Sequence, residues 1–198
     1  MEEIYEKMIQ ELLNKGFGYV DNWLSPDESK GLRDELLQRF NNDTFKTAAI
    51  GNKFNEVKET SIRNDKILWL DKNSSNVFEQ RFFSLIDDFA AYLNRTCYAG
   101  ISTYEFHYTV YESGAFYKRH SDQFNNDDCR RFSFVLYLNE DRKAEDGGQL
   151  VIYADETTTI IPHFGRVVFF SSELEHEVKI NHAQRLSVTG WLRTAKVF

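Results

Sequence analysis

The sequence predicts a mixed, mainly β fold: a double-stranded β-helix, or jelly roll, with N-terminal helices packed on one sheet. Apolar residues recur at helical spacing up to about residue 95, and from residue 101 the period changes to two. The period-two runs are short and broken by turn residues at Gly114, Asp146-Gly147-Gly148 and His163-Phe164-Gly165. Many short strands after a helical block suit two antiparallel sheets with helices on one of them. At 198 residues the chain suits one domain, 1–198. Within it, 1–95 form helical support and a lid, and 96–198 form the jelly-roll core.

In order, residues 2–15 place Ile4, Met8, Ile9, Leu12 and Leu13 at helical spacing, and Gly16 stops that helix. Phe17 to Leu24 reads as a short strand. Ser25-Pro26-Asp27-Glu28 starts a second helix, with Ser25 as N-cap and Glu28 completing a capping box. That helix turns Leu32, Leu36, Leu37 and Phe40 inward. Residues 41–61 are polar with scattered apolar anchors and predict a long loop or loose hairpin. Strand character returns over 61–70, and Ser75 is placed to cap a third helix, 76–94. Its buried face is Val77, Phe82, Leu85, Ile86, Phe89 and Leu93. Strands are predicted at 102–111, 115–120, 131–139, 148–154, 157–161, 166–171, 176–180 and 185–193.

Composition narrows the function classes. A chain with 41% hydrophobic residues, 17 Phe and 10 Tyr can bury a large core, and two Pro with ten Gly argue against disorder. The net charge of −7 repels phosphate backbones and anionic membranes, so no nucleic-acid or membrane partner is expected. Cys97 and Cys129 have no metal-type spacing and suit a reduced, cytoplasmic chain. The acidic N-terminus carries no signal-peptide pattern.

The chemistry centres on Tyr117-Lys118-Arg119-His120-Ser121-Asp122. On a strand, residues two apart share a face, so His120 and Asp122 converge on one point. With His176 they make two histidines and a carboxylate, the set that holds a divalent metal and leaves positions open. Arg185, on the last strand, is a planar receptor for a carboxylate, and Tyr137 can donate to the same group. Together they describe a slot for a dicarboxylate whose other end chelates the metal.

These residues, with Ile62-Arg63-Asn64-Asp65-Lys66-Ile67, Tyr137-Leu138-Asn139, Gly147-Gly148 and Arg185 through Trp191, carry a resemblance. From about Ile62 to Leu192 the chain resembles the 2-oxoglutarate/Fe(II) dioxygenases of the prolyl 4-hydroxylase type. Among them it looks most like the hypoxia-inducible factor prolyl hydroxylases and their bacterial relatives. The resemblance implies Fe(II) held by His120, Asp122 and His176, with 2-oxoglutarate and O2 as cosubstrates and ascorbate as reductant. It implies that Arg185 and Tyr137 bind the distal carboxylate, and that Tyr111 and Thr189 line the cosubstrate pocket. Arg130 and Trp191 match positions near the substrate, and residues 43–61 occupy the place of a lid. The implied reaction hydroxylates a prolyl residue of a protein or peptide, releasing succinate and CO2.

The residues leave other readings open. The same chemistry on a free amino acid or other small molecule keeps every site residue. A zinc-dependent cupin-like hydrolase would use the same ligands, although it has no need of a dicarboxylate receptor. A non-enzymatic interaction domain would need no complete ligand set. Tyr111, Tyr117 and Tyr137 also suit a core, and Arg130 reads slightly better as a surface charge. His107, His163 and His182 read as structural or solvent-facing. The side chains of Glu175 and Glu177 are expected to point away from that of His176.

Overall fold

The computed structural model describes residues 1–48, 61–123 and 129–196. Helix α1 (Glu2–Lys15) ends at Gly16, whose φ of 80° is the left-handed cap the sequence called for. It buries Tyr5, Met8 and Ile9, while Leu13, expected inside, faces solvent. Strand β1 (Phe17–Val20) is shorter than the 17–24 expected. The chain leaves the sheet after Val20, and Trp23 and Leu24 enter the core from the connection instead. Helix α2 (Pro26–Asn41) starts on Ser25 with the complete capping box.

The segment predicted as a loop holds a two-residue strand, β2 (Lys46–Thr47), paired with β3 (Lys66–Trp69). Residues 49–60 of the expected lid lie outside the described residues. Helix α3 (Val77–Cys97) is capped by Asn76, not Ser75: the Asn76 carboxamide accepts from the backbone of Phe78 and Glu79. With the start one residue later, Val77 occupies the first turn and stays exposed.

Eight strands follow: β4 (Ile101–Tyr111), β5 (Tyr117–His120), β6 (Arg130–Tyr137), β7 (Leu150–Tyr153), β8 (Thr157–Ile160), β9 (Val167–Ser171), β10 (Glu175–Val178) and β11 (Arg185–Thr194). They form a seven-stranded antiparallel sheet, ordered β1-β9-β6-β11-β4-β3-β2, and a four-stranded one, β5-β10-β7-β8. This is the predicted jelly roll.

The central strands of the large sheet have two apolar faces. Phe106, Tyr108 and Val110 of β4, Phe134 and Leu136 of β6, and Leu186, Val188 and Leu192 of β11 join the core under the helices. Between them in sequence, Tyr111, Val135 and Tyr137 join a second cluster with Leu150, Ile152 and Val178 of the smaller sheet. The inner face of the large sheet thus becomes one wall of an inter-sheet lumen.

The turn before β7 shows why two glycines stand there. Gly148 has φ 66°, and a Cβ on it would lie 1.9 Å from Asn181 Oδ1 and 2.7 Å from Arg142 Nη2. Gly148→Ala is therefore expected to lower unfolding stability by roughly 1–3 kcal/mol, measured by chemical denaturation.

Candidate active site

The sheets' register builds the site. His120 on β5 lies opposite His176 on β10, and their ring centroids are 4.3 Å apart. Asp122 follows β5, its backbone N–H donating to the Ser172 carbonyl. Its two oxygens lie 3.6 Å from His120 Nε2 and 3.4 Å from His176 Nε2. All three ligand atoms fall within 4.8 Å of one another, the only such cluster among the described residues.

Each imidazole is oriented from behind. His120 Nδ1 lies 2.7 Å from the Lys118 carbonyl and His176 Nδ1 lies 3.0 Å from the Leu174 carbonyl. A carbonyl only accepts, so both Nδ1 atoms donate and both Nε2 lone pairs face the shared point. Burial brings the His176 imidazole down to about 4, against the pull of Asp122, so it is neutral at neutral pH. Burial works against a charged Asp122. The His176 and His120 imidazoles and the Ser133 hydroxyl, 2.7 Å away, outweigh it and hold the carboxyl well below the usual range.

The inner face of the large sheet supplies the opposite wall in rows. Arg185 lies opposite Tyr111, and Ser187 sits between Thr109 and Tyr137. Thr189 lies between His107 and Val135, and Trp191 between Glu105 and Ser133. Arg185 is 2% exposed, and its guanidinium lies 4.9 Å from both the Tyr111 and Tyr137 ring centroids. Arg185, Tyr111 and Thr189 line one cleft with the triad. Tyr137 stands behind Arg185, fully buried.

Arg130 is not the surface charge the sequence favoured. It bonds Glu105 at 3.0 and 2.8 Å and lies 3.5 Å over the Trp191 ring. Glu175 and Glu177 face away from the triad as expected, Glu175 bonding Arg119 and Glu177 bonding Lys179 and Tyr153.

Comparison with known proteins settles the family. A family model of the 2OG-Fe(II) oxygenase superfamily matches residues 106–193. A Pseudomonas putida prolyl-4-hydroxylase of known structure is 31% identical, with a TM-score of 0.87 covering 97% of this chain and 100% of that one. The chain belongs to the 2OG-Fe(II) oxygenase superfamily. A prolyl hydroxylase from Trichoplax adhaerens, solved with a hypoxia-inducible factor oxygen degradation domain peptide fragment, is 26% identical. Its TM-score is 0.88, over 97% of this chain and 90% of that one. An uncharacterised PKHD-type hydroxylase of Synechocystis is 25% identical over 89% of this chain. The chain spans less than two thirds of the length of the curated relatives it matches, 63% in that case.

This superfamily of dioxygenases requires Fe(II), 2-oxoglutarate and O2, and the residues present fit those groups. Two imidazole nitrogens and one carboxylate, all aimed at one point, are a donor set for Fe(II) with positions left open. Beside them Arg185 is a buried cation with no carboxylate partner among the described residues. Among the described residues, neither its Nε nor the Tyr137 hydroxyl, both buried, has a hydrogen-bond partner. Polar atoms left that way are costly unless a ligand completes them. A carboxylate does so.

Sequence reasoning missed four wall residues. Arg63 bonds the buried Asp65 at 2.8 and 2.6 Å and lies 4.2 Å over the Tyr117 ring. Tyr117 in turn stacks on His120, with centroids 3.5 Å apart and planes at 13°. His107 is buried in the same cleft, its ring 4.9 Å from that of Trp69. Alternation with Thr109 and Tyr111 was the available signal for His107. No local signal marked Trp69, which does not line the cleft but lies opposite His107 because β3 pairs with β4.

Proposed function

We propose that residues 1–198 act as one dioxygenase unit that hydroxylates a prolyl residue of a protein, releasing succinate and CO2. The observation that carries this reading is a buried Arg185, with no carboxylate partner among the described residues, in the same cleft as a three-ligand metal set. In it, His120, Asp122 and His176 hold Fe(II), which with 2-oxoglutarate and O2 supplies the oxidising power to hydroxylate an unactivated C–H bond. Arg185 and Tyr137 grip the distal carboxylate, while Tyr111 and Thr189 shape the walls. The inter-sheet cluster around Val135, Leu150 and Val178 excludes water from the reacting centre. Trp191, with Arg130 laid over it, offers a flat apolar face for a saturated ring beside the metal set.

A polypeptide substrate is supported by the relatives, two of them prolyl hydroxylases and one of these solved with a peptide. No helix among the described residues is long and apolar enough to cross a membrane. Cys97 and Cys129 are not in disulfides, which fits a cytoplasmic setting. The test is mass spectrometry of lysate proteins incubated with the enzyme, Fe(II), 2-oxoglutarate and ascorbate. The expected result is one added oxygen on a prolyl residue, dependent on 2-oxoglutarate. Turnover of free L-proline in preference to every protein segment would give the function to a small molecule instead.

A further inference from the structure

His107 has no task in the assignment above, yet it is 2% exposed and lines the cleft. It stands in the row of Thr189 and Val135. Its ring lies 4.9 Å from that of Trp69 and 5.6 Å from that of Trp191, at the aromatic mouth. Its Nδ1 is 3.3 Å from the Tyr108 carbonyl oxygen and 2.9 Å from Thr109 Oγ1. Because the carbonyl only accepts, Nδ1 carries the proton and the Thr109 hydroxyl accepts from it as well. Nε2 is left a bare acceptor, and nothing among the described residues donates to it. Burial brings this imidazole down to about 4, Arg63 adding to the effect against Asp65, so it is neutral at neutral pH.

Water can satisfy such an acceptor while the cleft is solvent-filled. A substrate that displaces the water must bring a donor, or it leaves a buried acceptor unpaired. A prolyl ring brings none, since its nitrogen carries no hydrogen. The nearest donor along a polypeptide is the backbone N–H of the following residue, two bonds from the prolyl Cα.

We infer that His107 is a specificity-determining residue whose Nε2 accepts a hydrogen bond from the N–H of the residue after the target proline. The inference rests on the reading that the substrate is a prolyl residue of a protein. It implies that a target proline followed by proline, or by any N-alkylated residue, is a poor substrate.

The test uses two synthetic peptides copied from the segment hydroxylated in lysate. They differ only in carrying alanine or N-methylalanine after the target proline. The wild-type enzyme is expected to show a kcat/KM roughly ten- to a hundredfold lower for the N-methyl peptide. His107→Gln, whose amide oxygen accepts, retains that ratio. His107→Met, of similar size but without such an acceptor, reduces it to below about threefold, through a loss on the alanine peptide. A conformational effect of N-methylation would persist in His107→Met, and a ratio that survives there overturns the inference. Equal kcat/KM for the two peptides with wild-type enzyme overturns it whether or not either variant folds. If neither peptide is hydroxylated while 2-oxoglutarate is consumed, the prolyl reading falls, and this inference with it.

Discussion

Asp122→Ala is expected to abolish turnover and leave the fold standing. Its carboxylate supplies the one negative charge of the ligand set and faces both imidazole Nε2 atoms. Removing it takes away charge and geometry together. Loss of a group that only supports a metal ligand costs about 10–100-fold in metal affinity, and loss of a ligand should exceed that. The fold does not depend on it. Ser133, which donates to Asp122, lies 2.9 Å from the Ser172 hydroxyl and keeps a partner in the variant. The measurements are Co(II) titration as a stand-in for Fe(II), thermal melting, and succinate formation. Succinate formation at the wild-type rate in a metal-replete variant would remove Asp122 from the ligand set.

Arg185 should show its effect on the cosubstrate and not on the metal. In Arg185→Lys a point charge replaces a planar fork, and the apparent KM for 2-oxoglutarate is expected to rise. Arg185→Ala should raise it further, by roughly 2–5 kcal/mol of lost binding where the ligand's carboxylate stays buried without a partner. Metal affinity measured without 2-oxoglutarate should hardly change, because among the described residues no triad atom bonds to Arg185, whose side chain donates to Ser187 at 3.4 Å. Calorimetry settles the matter. Unchanged 2-oxoglutarate binding in the alanine variant would make Arg185 a strand residue and nothing more.

What the sequence disclosed was whatever depends on local period and chemistry. The change from period 3.6 to period two marked the helical block and the strands. Ser25 to Glu28 marked a helix start because the whole capping box lies within four residues. What it withheld depends on pairing between distant segments. Ser75 and Asn76 are both competent caps, and only the fold of the preceding turn chooses Asn76. Leu13 and Leu12 both fit a helical stripe, and packing against β1 and β9 decides which one is covered. The ligand triad was legible because His120 and Asp122 are two apart. The Trp69 ring against His107 comes from β3, far away in sequence, and the Glu105 partner of Arg130 from β4.

The two-faced central strands make core and site neighbours in sequence but strangers in contact. On β11, Leu186 and Val188 belong to the helix-side core, while Arg185, Ser187 and Thr189 face the lumen. A point substitution at a lumen position can therefore retune recognition without disturbing a core residue one place away. A single-residue insertion or deletion has the opposite character. It would turn Leu186 into the lumen and Arg185 under the helices in one step. Divergence in this scaffold is thus free to proceed by replacement along β4, β6 and β11, with length changes confined to the turns between them.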